Sequence, residues 1–277
     1  MYGGEVARPS GIYVFVGVSP NNRSPSQPAR AGTVSVARAL SKLGICSRTE
    51  GERLVAEGRV RVNGAVMRDP SHRIHPESAV IEIDGARVGS IAKVYLALNK
   101  PRGLVTTRDD PQGRATVYEC LGDARGTALP FVAPVGRLDK ASEGLLLMTN
   151  DSRWAAQLLD PTSHVDRTYH VQVRGMADDT LMDSVTRGVF DTEAGEHLTV
   201  KRVSLLRVGS RSSAWLEITL DEGRNRQIRR LLAALDVEVL RLVRVAIGPL
   251  ALGTLAKGEW RSLTSDEVSS LSRARVR

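Results

Sequence analysis

The chain has 277 residues with a formal net charge of +8, and 42% of them are hydrophobic and 25% charged. These values are ordinary for a globular protein of one or two domains, and a content of only two cysteines excludes a disulfide scaffold. The longest apolar run is too short to span a bilayer, and the excess positive charge predicts a polyanionic partner, either a nucleic acid or an anionic membrane surface.

The first 33 residues are rich in Pro, Ser, Asn and Gly, which predicts a disordered leader over residues 1–33. The apolar run Gly11–Val18 is short and has no basic segment before it, so we expect no signal peptide. The low cysteine count fits a reducing compartment. We therefore predict a cytoplasmic protein with no membrane partner.

Residues 34–90 predict a compact unit of helices followed by strands. Helical spacing of apolar residues from Val36 to Leu43 predicts a first helix that ends at Gly44, and Ser47–Glu50 has the form of a capping box that starts a second. Asn63-Gly64 follows an alternating strand and predicts a hairpin turn. Basic residues line the helix pair and the first strand, and we take them as RNA-binding candidates: Arg38, Lys42, Arg48, Arg53, Arg59 and Arg61.

This order of helix cap, glycine stop and Asn-Gly turn resembles a small αL-type RNA-binding domain that also occurs in a ribosomal small-subunit protein. The resemblance implies that residues 34–90 bind RNA through its shape and phosphates. The competing interpretation is a generic α/β module whose basic face is merely solvated.

Residues 93–264 predict a second, larger domain. Val94–Leu98 reads as a strand, and Arg167–Val173 and Ala214–Leu220 alternate as strands do. Helices are predicted after Asp151 and from Met176 to Gly188. Because strands outnumber helices and do not alternate with them, the pattern favours an α+β fold with a largely antiparallel mixed sheet and flanking helices. Residues 265–277 begin like a short polar helix and are predicted to end as a frayed basic tail.

Asp139 is the first candidate for chemistry. It follows Gly136-Arg137-Leu138 and precedes a buried strand at Leu145–Met148, so it is predicted on a loop between two core strands. A rigid scaffold can hold a reactive carboxylate in such a place. The ordinary interpretation is an aspartate that only satisfies a turn.

The segment Glu222–Leu232 is the second candidate. Ile228, Leu231 and Leu232 share one helical stripe, and the arginines fall on the other side. These arginines are either a solvated face or a source of contacts to phosphates and to a carboxylate. Tyr169, in Arg167-Thr168-Tyr169, is either a core residue or a platform for a flipped base.

Together these motifs resemble the pseudouridine synthases, and more narrowly the bacterial ribosomal branch that carries an N-terminal αL-type domain. The matching motifs are N-K-P-R-G at residues 99–103, G-R-L-D-x-x-S-E-G-L-L-L-x-T-N-D at 136–151, R-T-Y-x-V at 167–171 and E-G-R-N-R-Q-I-R-R at 222–230. The resemblance implies an isomerase that converts a uridine of ribosomal RNA to pseudouridine. It implies the pseudouridine synthase fold for residues 93–264.

The resemblance also assigns roles to residues. Asp139 is implied as the catalytic carboxylate, Arg137 enters the space left by the flipped base, Tyr169 is the active-site tyrosine, and Arg229 is the basic partner of the carboxylate. Further RNA contacts are expected from Arg224, Arg226 and Arg230. The reaction needs no metal or cofactor, and we expect none.

Three segments resemble the large-subunit enzymes more than the small-subunit enzymes. They are the motif at residues 222–230, R-L-V-R-V-A-I-G-P-L at 241–250 and L-A-K-G-E-W-R at 255–261. We therefore favour large-subunit ribosomal RNA as substrate and expect a monomer. The alternative from another class is a non-catalytic RNA-binding protein of ribosome assembly. A zinc deaminase is disfavoured because His75-Pro76-Glu77 has no P-C-x-x-C after it, and a methyltransferase lacks its Gly-rich loop.

Overall fold

A computed structural model describes residues 32–89, 91–122, 129–208 and 213–274. The chain divides into two compact units, a first unit of residues 1–93 with 126–132 and a second unit of residues 94–125 with 133–277. The predicted leader lies outside the described residues except for its last two positions, Gly32 and Thr33. Within the described ranges no helix is both long and apolar enough to cross a membrane.

The described residues of the first unit form two helices and six short strands. Its elements are β1 (Val34–Ser35), α1 (Val36–Lys42), α2 (Arg48–Ala56), β2 (Val60–Val62), β3 (Ala65–Met67), β4 (Arg73–Ile74), β5 (Ile81–Ile83) and β6 (Ala86–Val88). Strands β3, β2, β5 and β6 form an antiparallel sheet in that order, and β1 pairs with β4.

The local signals in this unit are confirmed. Ser47 caps α2 by accepting a hydrogen bond from the backbone N–H of Glu50 at 3.1 Å. Asn63 and Gly64 both have positive φ, 51° and 82°, as the tight turn between β2 and β3 requires. Leu40, Leu54 and Ile81 are buried together, so the helices and the sheet share one core.

The second unit contains eleven strands and four helices among the described residues. They are β7 (Tyr95–Lys100), β8 (Ala133–Val135), β9 (Glu143–Thr149), α3 (Ser152–Leu159), β10 (Arg167–Arg174), α4 (Asp179–Arg187), β11 (Val189–Asp191), β12 (Glu196–Leu198), β13 (Arg202–Val208), β14 (Ser213–Leu220), α5 (Gln227–Ala234), β15 (Val239–Ile247), β16 (Leu250–Ala251), β17 (Trp260–Ser262) and α6 (Ser265–Arg273).

A nine-stranded sheet organises this unit. Its main path runs β13-β14-β10-β15-β9-β7-β17, with β8 added to β9 and β16 to β15. The pairing of β9 with β15 is parallel, and the other pairs are antiparallel. The predicted α+β fold with a largely antiparallel mixed sheet is therefore confirmed. Strand β9 is buried at every position, so it forms the centre of the unit.

The parallel pair depends on a glycine. Gly144 of β9 lies opposite Arg244 of β15 and has a φ of 102°. A Cβ atom at Gly144 would lie 2.2 Å from the carbonyl oxygen of Arg244, so only glycine lets the two backbones approach this closely.

The helix predicted at the start of residues 265–277 is present, and the end predicted as a frayed basic tail lies largely beyond the described residues. Residues Ser265–Arg273 form α6, which Thr264 caps together with Glu267. Leu271 is fully buried, and the indole N–H of Trp154 donates a hydrogen bond to the hydroxyl of Ser272 at 3.1 Å. The helix is held because its apolar face packs on α3, a contact that the local composition does not reveal. Residues 275–277 lie outside the described part of the chain.

Candidate active site

A cleft of about 620 Å³ opens in the second unit. It is bounded by the loop between β8 and β9, by β10 and β15, and by the segment that leads into α5. Six charged or aromatic residues of the predicted site line it: Arg137, Asp139, Tyr169, Arg224, Arg226 and Arg229. The structure thus brings together residues that are distant in sequence, since Arg137 and Arg229 are 92 positions apart.

Asp139 lies on the loop between β8 and β9, as predicted. The hydroxyl of Thr106 fixes this loop by donating to the carbonyl of Leu138 at 2.7 Å, and the backbone N–H of Ser142 donates to the carbonyl of Asp139 at 2.9 Å. The Asp139 side chain keeps 36% of its surface exposed, so its carboxylate is reachable from the cleft.

A buried lysine braces the same loop. Lys100, at the end of β7, has no exposed surface, and its ammonium group donates to the carbonyls of Pro101, Asp139 and Ser142 at 3.0, 3.2 and 2.9 Å. Burial lowers the pKa of Lys100 to about 8, against the opposing influence of Cys120, Asp139 and Glu143. Sequence reasoning missed this role, although the N-K-P-R-G motif contains the residue.

The guanidinium within ion-pair distance of Asp139 is that of Arg226, while Arg229, the predicted partner, interacts with Asp139 only as a nearby charge. A nitrogen of the Arg226 guanidinium lies 3.5 Å from a carboxylate oxygen of Asp139. Arg229 instead donates to the backbone carbonyls of Ala141 and Val239 at 3.2 and 3.5 Å. Burial lowers the pKa of Arg229, and the nearby charge of Arg226 lowers it further, while Asp139 opposes the shift.

The reason for this difference lies at the start of α5. Arg226 precedes the helix in a left-handed conformation, with φ 49°, and this turns its side chain toward the cleft. Arg229 lies about one turn into α5. Helical periodicity shows only that the arginines share a face, and it does not show which of them reaches the Asp139 loop.

Tyr169 belongs to the face of β10 that borders the cleft. It is 9% exposed and its Cα partners are Ile218 of β14 and Arg244 of β15. Arg167, two residues earlier on the same face, lines the cleft as well and donates to the carbonyls of Val165 and Leu158. Tyr169 is therefore both largely buried and available to a group that enters the cleft.

Arg224 and Arg230, expected to bind RNA, are engaged by carboxylates. Arg230 pairs with Asp191 and Glu196, both at 2.6 Å, and Arg224 pairs with Glu196 and Glu222 at 3.0 and 2.9 Å. These pairs tie α5 and the segment before it to the hairpin of β11 and β12. The structure therefore gives the two arginines a bracing role, since their charge is already offset.

The basic residues of the first unit divide in the same way. Arg48 pairs with Glu52, Arg53 with Glu50 and Glu57, and Arg59 with Asp84 and Glu57. Arg38 and Lys42 are exposed on one face of α1 and have no ion pair among the described residues. Arg61 is exposed and bonds only weakly to the carbonyl of Gly64, at 3.4 Å. Of the six predicted RNA-binding residues of this unit, Arg38, Lys42 and Arg61 are therefore the three without an ion pair among the described residues.

No cluster of His, Cys, Asp and Glu suited to a metal ion occurs in the part of the chain that the structure describes.

Comparison with known proteins agrees with this fold. The model of the RNA pseudouridylate synthase family matches residues 94–234, and the model of the S4 domain matches residues 36–80. Proteins named as uncharacterized RNA pseudouridine synthases are 37% identical in Aquifex aeolicus, over 87% of this chain and 94% of that protein, and 37% identical in Mycobacterium bovis, over 90% and 97%. A crystal structure of a pseudouridylate synthase superposes with a TM-score of 0.59 at 26% identity, covering 86% of this chain and 99% of that one.

A cleft that holds a loop carboxylate, with an S4 domain elsewhere in the chain, defines an RNA-modifying enzyme. The chain belongs to the RNA pseudouridine synthase family. It is therefore an isomerase that acts on uridine in RNA.

Proposed function

We propose that this pseudouridine synthase modifies a specific uridine of ribosomal RNA, in the large subunit, and that Asp139 is its catalytic carboxylate. The observation that carries the proposal is the position of Asp139. It lies in the cleft on a loop that Lys100 and Thr106 hold from beneath, with Arg226 3.5 Å away and Tyr169 on the adjoining sheet.

This arrangement suits the reaction. Pseudouridine formation breaks the bond between C1′ of the ribose and N1 of uracil and then joins C1′ to C5. A carboxylate can attack the sugar or offset positive charge that develops there. Arg226 offsets the negative charge of Asp139 before the RNA binds. Tyr169 offers a ring on which a base can stack.

The target nucleotide must leave its helix to reach Asp139. Flipping costs a few kcal/mol, which contacts elsewhere on the RNA have to offset. Arg137, exposed at the edge of the cleft, is proposed to enter the space that the base leaves. Arg38, Lys42 and Arg61 of the first unit are proposed to bind phosphates away from the cleft.

Ribosomal RNA as substrate is supported by the joining of an S4 domain to a pseudouridylate synthase domain, and the large subunit by the motifs at residues 222–230, 241–250 and 255–261. The two cysteines are free thiols, which supports a cytoplasmic enzyme. We also propose that the enzyme acts as a monomer.

The test is an Asp139→Asn variant compared with Asp183→Asn, which removes the same charge from the exposed face of α4. We expect Asp139→Asn to lose at least about 10³-fold in the rate of pseudouridine formation and to bind ribosomal RNA as the wild type does. Pseudouridine formation by Asp139→Asn at the rate of the Asp183→Asn control would refute the catalytic assignment.

The substrate is tested separately. Pseudouridine mapping of both ribosomal RNAs from cells with and without this gene should show one large-subunit position that disappears. If the missing pseudouridine lies in the small-subunit RNA, or if neither RNA loses a pseudouridine, the substrate assignment is wrong. Neither result bears on the catalytic role of Asp139.

A further inference from the structure

Arg244 is a buried arginine in the floor of the cleft. It is 4% exposed and lies on β15 between Tyr169 of β10 and Gly144 of β9, its Cα partners on either side. Gly144 follows the Asp139 loop by two residues, so Arg244 occupies the strand between the tyrosine and that loop.

The guanidinium of Arg244 is only partly satisfied. Its Nε donates to the carbonyl of Leu145 at 2.7 Å. Its Nη2 is buried and has no hydrogen-bond acceptor among the described residues, and no carboxylate pairs with it there. A buried N–H of a charged group without an acceptor is costly, so in native proteins an ordered water, an ion or a ligand usually supplies the acceptor.

Arg167 provides a contrast, whereas Arg229 of the same cleft shares the feature at its buried Nε. Arg167 also lines the cleft and is also largely buried, but both of its terminal nitrogens donate to backbone carbonyls, those of Val165 and Leu158. Arg167 is therefore satisfied by the protein itself, and Arg244 is not.

The base is the part of a flipped nucleotide that enters deepest, while its phosphates stay near the surface. We propose that Nη2 of Arg244 donates a hydrogen bond to a carbonyl oxygen of the target uracil, O2 or O4, and stabilises the negative charge that the base acquires during the reaction. This rests on the proposed function, because it takes the cleft to be the site of the target uridine.

The charge arises in the bond-breaking step. When the C1′–N1 bond breaks, its electron pair stays on the uracil, which becomes an anion with the charge spread over N1, O2 and O4. Cleavage leaves C1′ electron-deficient beside Asp139, and C5 joins it with the electron pair of the anion, which makes the ring neutral. The C5 proton then leaves to a base while N1 takes up a proton, so the product is an isomer of the substrate. Nothing is oxidised or reduced. A preorganised cation at O2 or O4 lowers the energy of the anion more than that of the neutral base.

The experiment compares wild type and Arg244→Met in single-turnover reactions on RNA that carries uridine, 2-thiouridine or 4-thiouridine at the target. Sulfur is a weaker acceptor than oxygen. We expect Arg244→Met to react about 100-fold more slowly on uridine, with RNA affinity within about twofold of wild type. We expect the wild type to slow about tenfold on one of the two thio-substituted RNAs, which identifies the oxygen.

The decisive readout is the interaction between the two changes. Arg244→Met should react at equal rates on uridine and on that thio-substituted RNA, because the hydrogen bond is already absent. Arg167→Met, the matched control, should keep the full sulfur effect of the wild type whatever its overall rate. A sulfur effect in Arg244→Met as large as in the wild type overturns the proposal.

Two outcomes separate this proposal from the one on which it rests. If Arg244→Met fails to fold, the rates of the wild type on the three RNAs remain as a test. Equal wild-type rates on all three overturn the role of Arg244. If Asp139→Asn reacts normally, the proposed site itself is wrong. An inactive Asp139→Asn together with no sulfur effect in the wild type refutes Arg244 only.

Discussion

The ammonium group of Lys100 donates hydrogen bonds to three backbone carbonyls around Asp139. The protonated form has three N–H groups, so each of these carbonyls receives one donor. A neutral amine has only two N–H groups and leaves one buried carbonyl without a donor. The pKa of about 8 places this change just above neutral pH.

We expect the rate of pseudouridine formation to be level below pH 8 and to fall as the pH rises through that value. In Lys100→Met the loop loses all three hydrogen bonds, and the variant should be at least about 100-fold slower with no transition near pH 8. Rate–pH profiles of the two proteins under single-turnover conditions check this. A wild-type rate that stays level to pH 10 contradicts it.

The same lysine links stability to pH. Its pKa is about 8 in the folded protein and 10.5 in an unfolded chain, so between these values unfolding takes up a proton and rising pH favours the folded state. The free energy of unfolding of the wild type, relative to Lys100→Met, should therefore rise by about 3 kcal/mol from pH 8 to 10.5. Denaturant titrations of both proteins at several pH values measure the difference, and a fall over this range would contradict it.

At the scale of single residues, the sequence predicted Asp139 on its loop and Tyr169 on its strand because both follow from local patterns: glycine and strand signals around the first, alternation around the second. The contacts of Lys100, Arg226 and Arg244 are long-range. Lys100 reaches a carbonyl 39 residues away and Arg244 one 99 residues away, so no local pattern encodes them.

At the scale of elements, the close approach of β9 and β15 can be tested with two glycines that have the same φ angle. Gly144 and Gly103 both have a φ of 102°, but a Cβ at Gly103 meets nothing within 4 Å, whereas one at Gly144 meets the backbone of Arg244. Gly103→Ala should cost about 1–2 kcal/mol of stability from its backbone conformation alone. Gly144→Ala should cost more than about 4 kcal/mol or prevent folding.

Chemical denaturation of the two variants gives the comparison. Similar denaturation midpoints for Gly103→Ala and Gly144→Ala would mean that β9 and β15 can move apart without loss of stability, which contradicts the close approach of these strands.

The elements themselves were predicted unevenly, for a physical reason. The α2 cap, the hairpin turn at Asn63-Gly64 and the helix α4 depend on neighbours in sequence, and they were found. Helix α6 is fixed by its contact with α3, more than 100 residues earlier, so its composition indicated a helical start but not how far the helix extends. The one parallel strand pair likewise depends on which strands meet, and the alternation patterns carry no such information.

At the scale of the whole molecule, the net charge of +8 overstates what is available to RNA. Many arginines are already paired with carboxylates of the same unit, and such a cation has to give up its partner before it contacts a phosphate. Unpaired, exposed cations should therefore dominate the dependence of RNA binding on salt.

We expect the double variant Arg38→Gln/Lys42→Gln to weaken RNA binding and to reduce the slope of log K against log salt by about 1.5. The control is Arg48→Gln/Arg53→Gln, which removes the same charge from the ion-paired side of the first unit, and its slope should change by less than half as much. Binding titrations over a range of salt concentrations decide. Equal changes in slope would show that ion pairing does not decide which arginines contact RNA.

The parallel pairing of β9 with β15 also has a consequence for how the protein is made. Because β15 is about 100 residues downstream of β9, the floor of the cleft forms only after the nascent chain has emerged at least to Ile247. Contacts of such sequence separation form slowly during folding. A ribosome that translates this chain therefore exposes the first unit, with α1 and its cations, well before the second unit is able to isomerise a uridine.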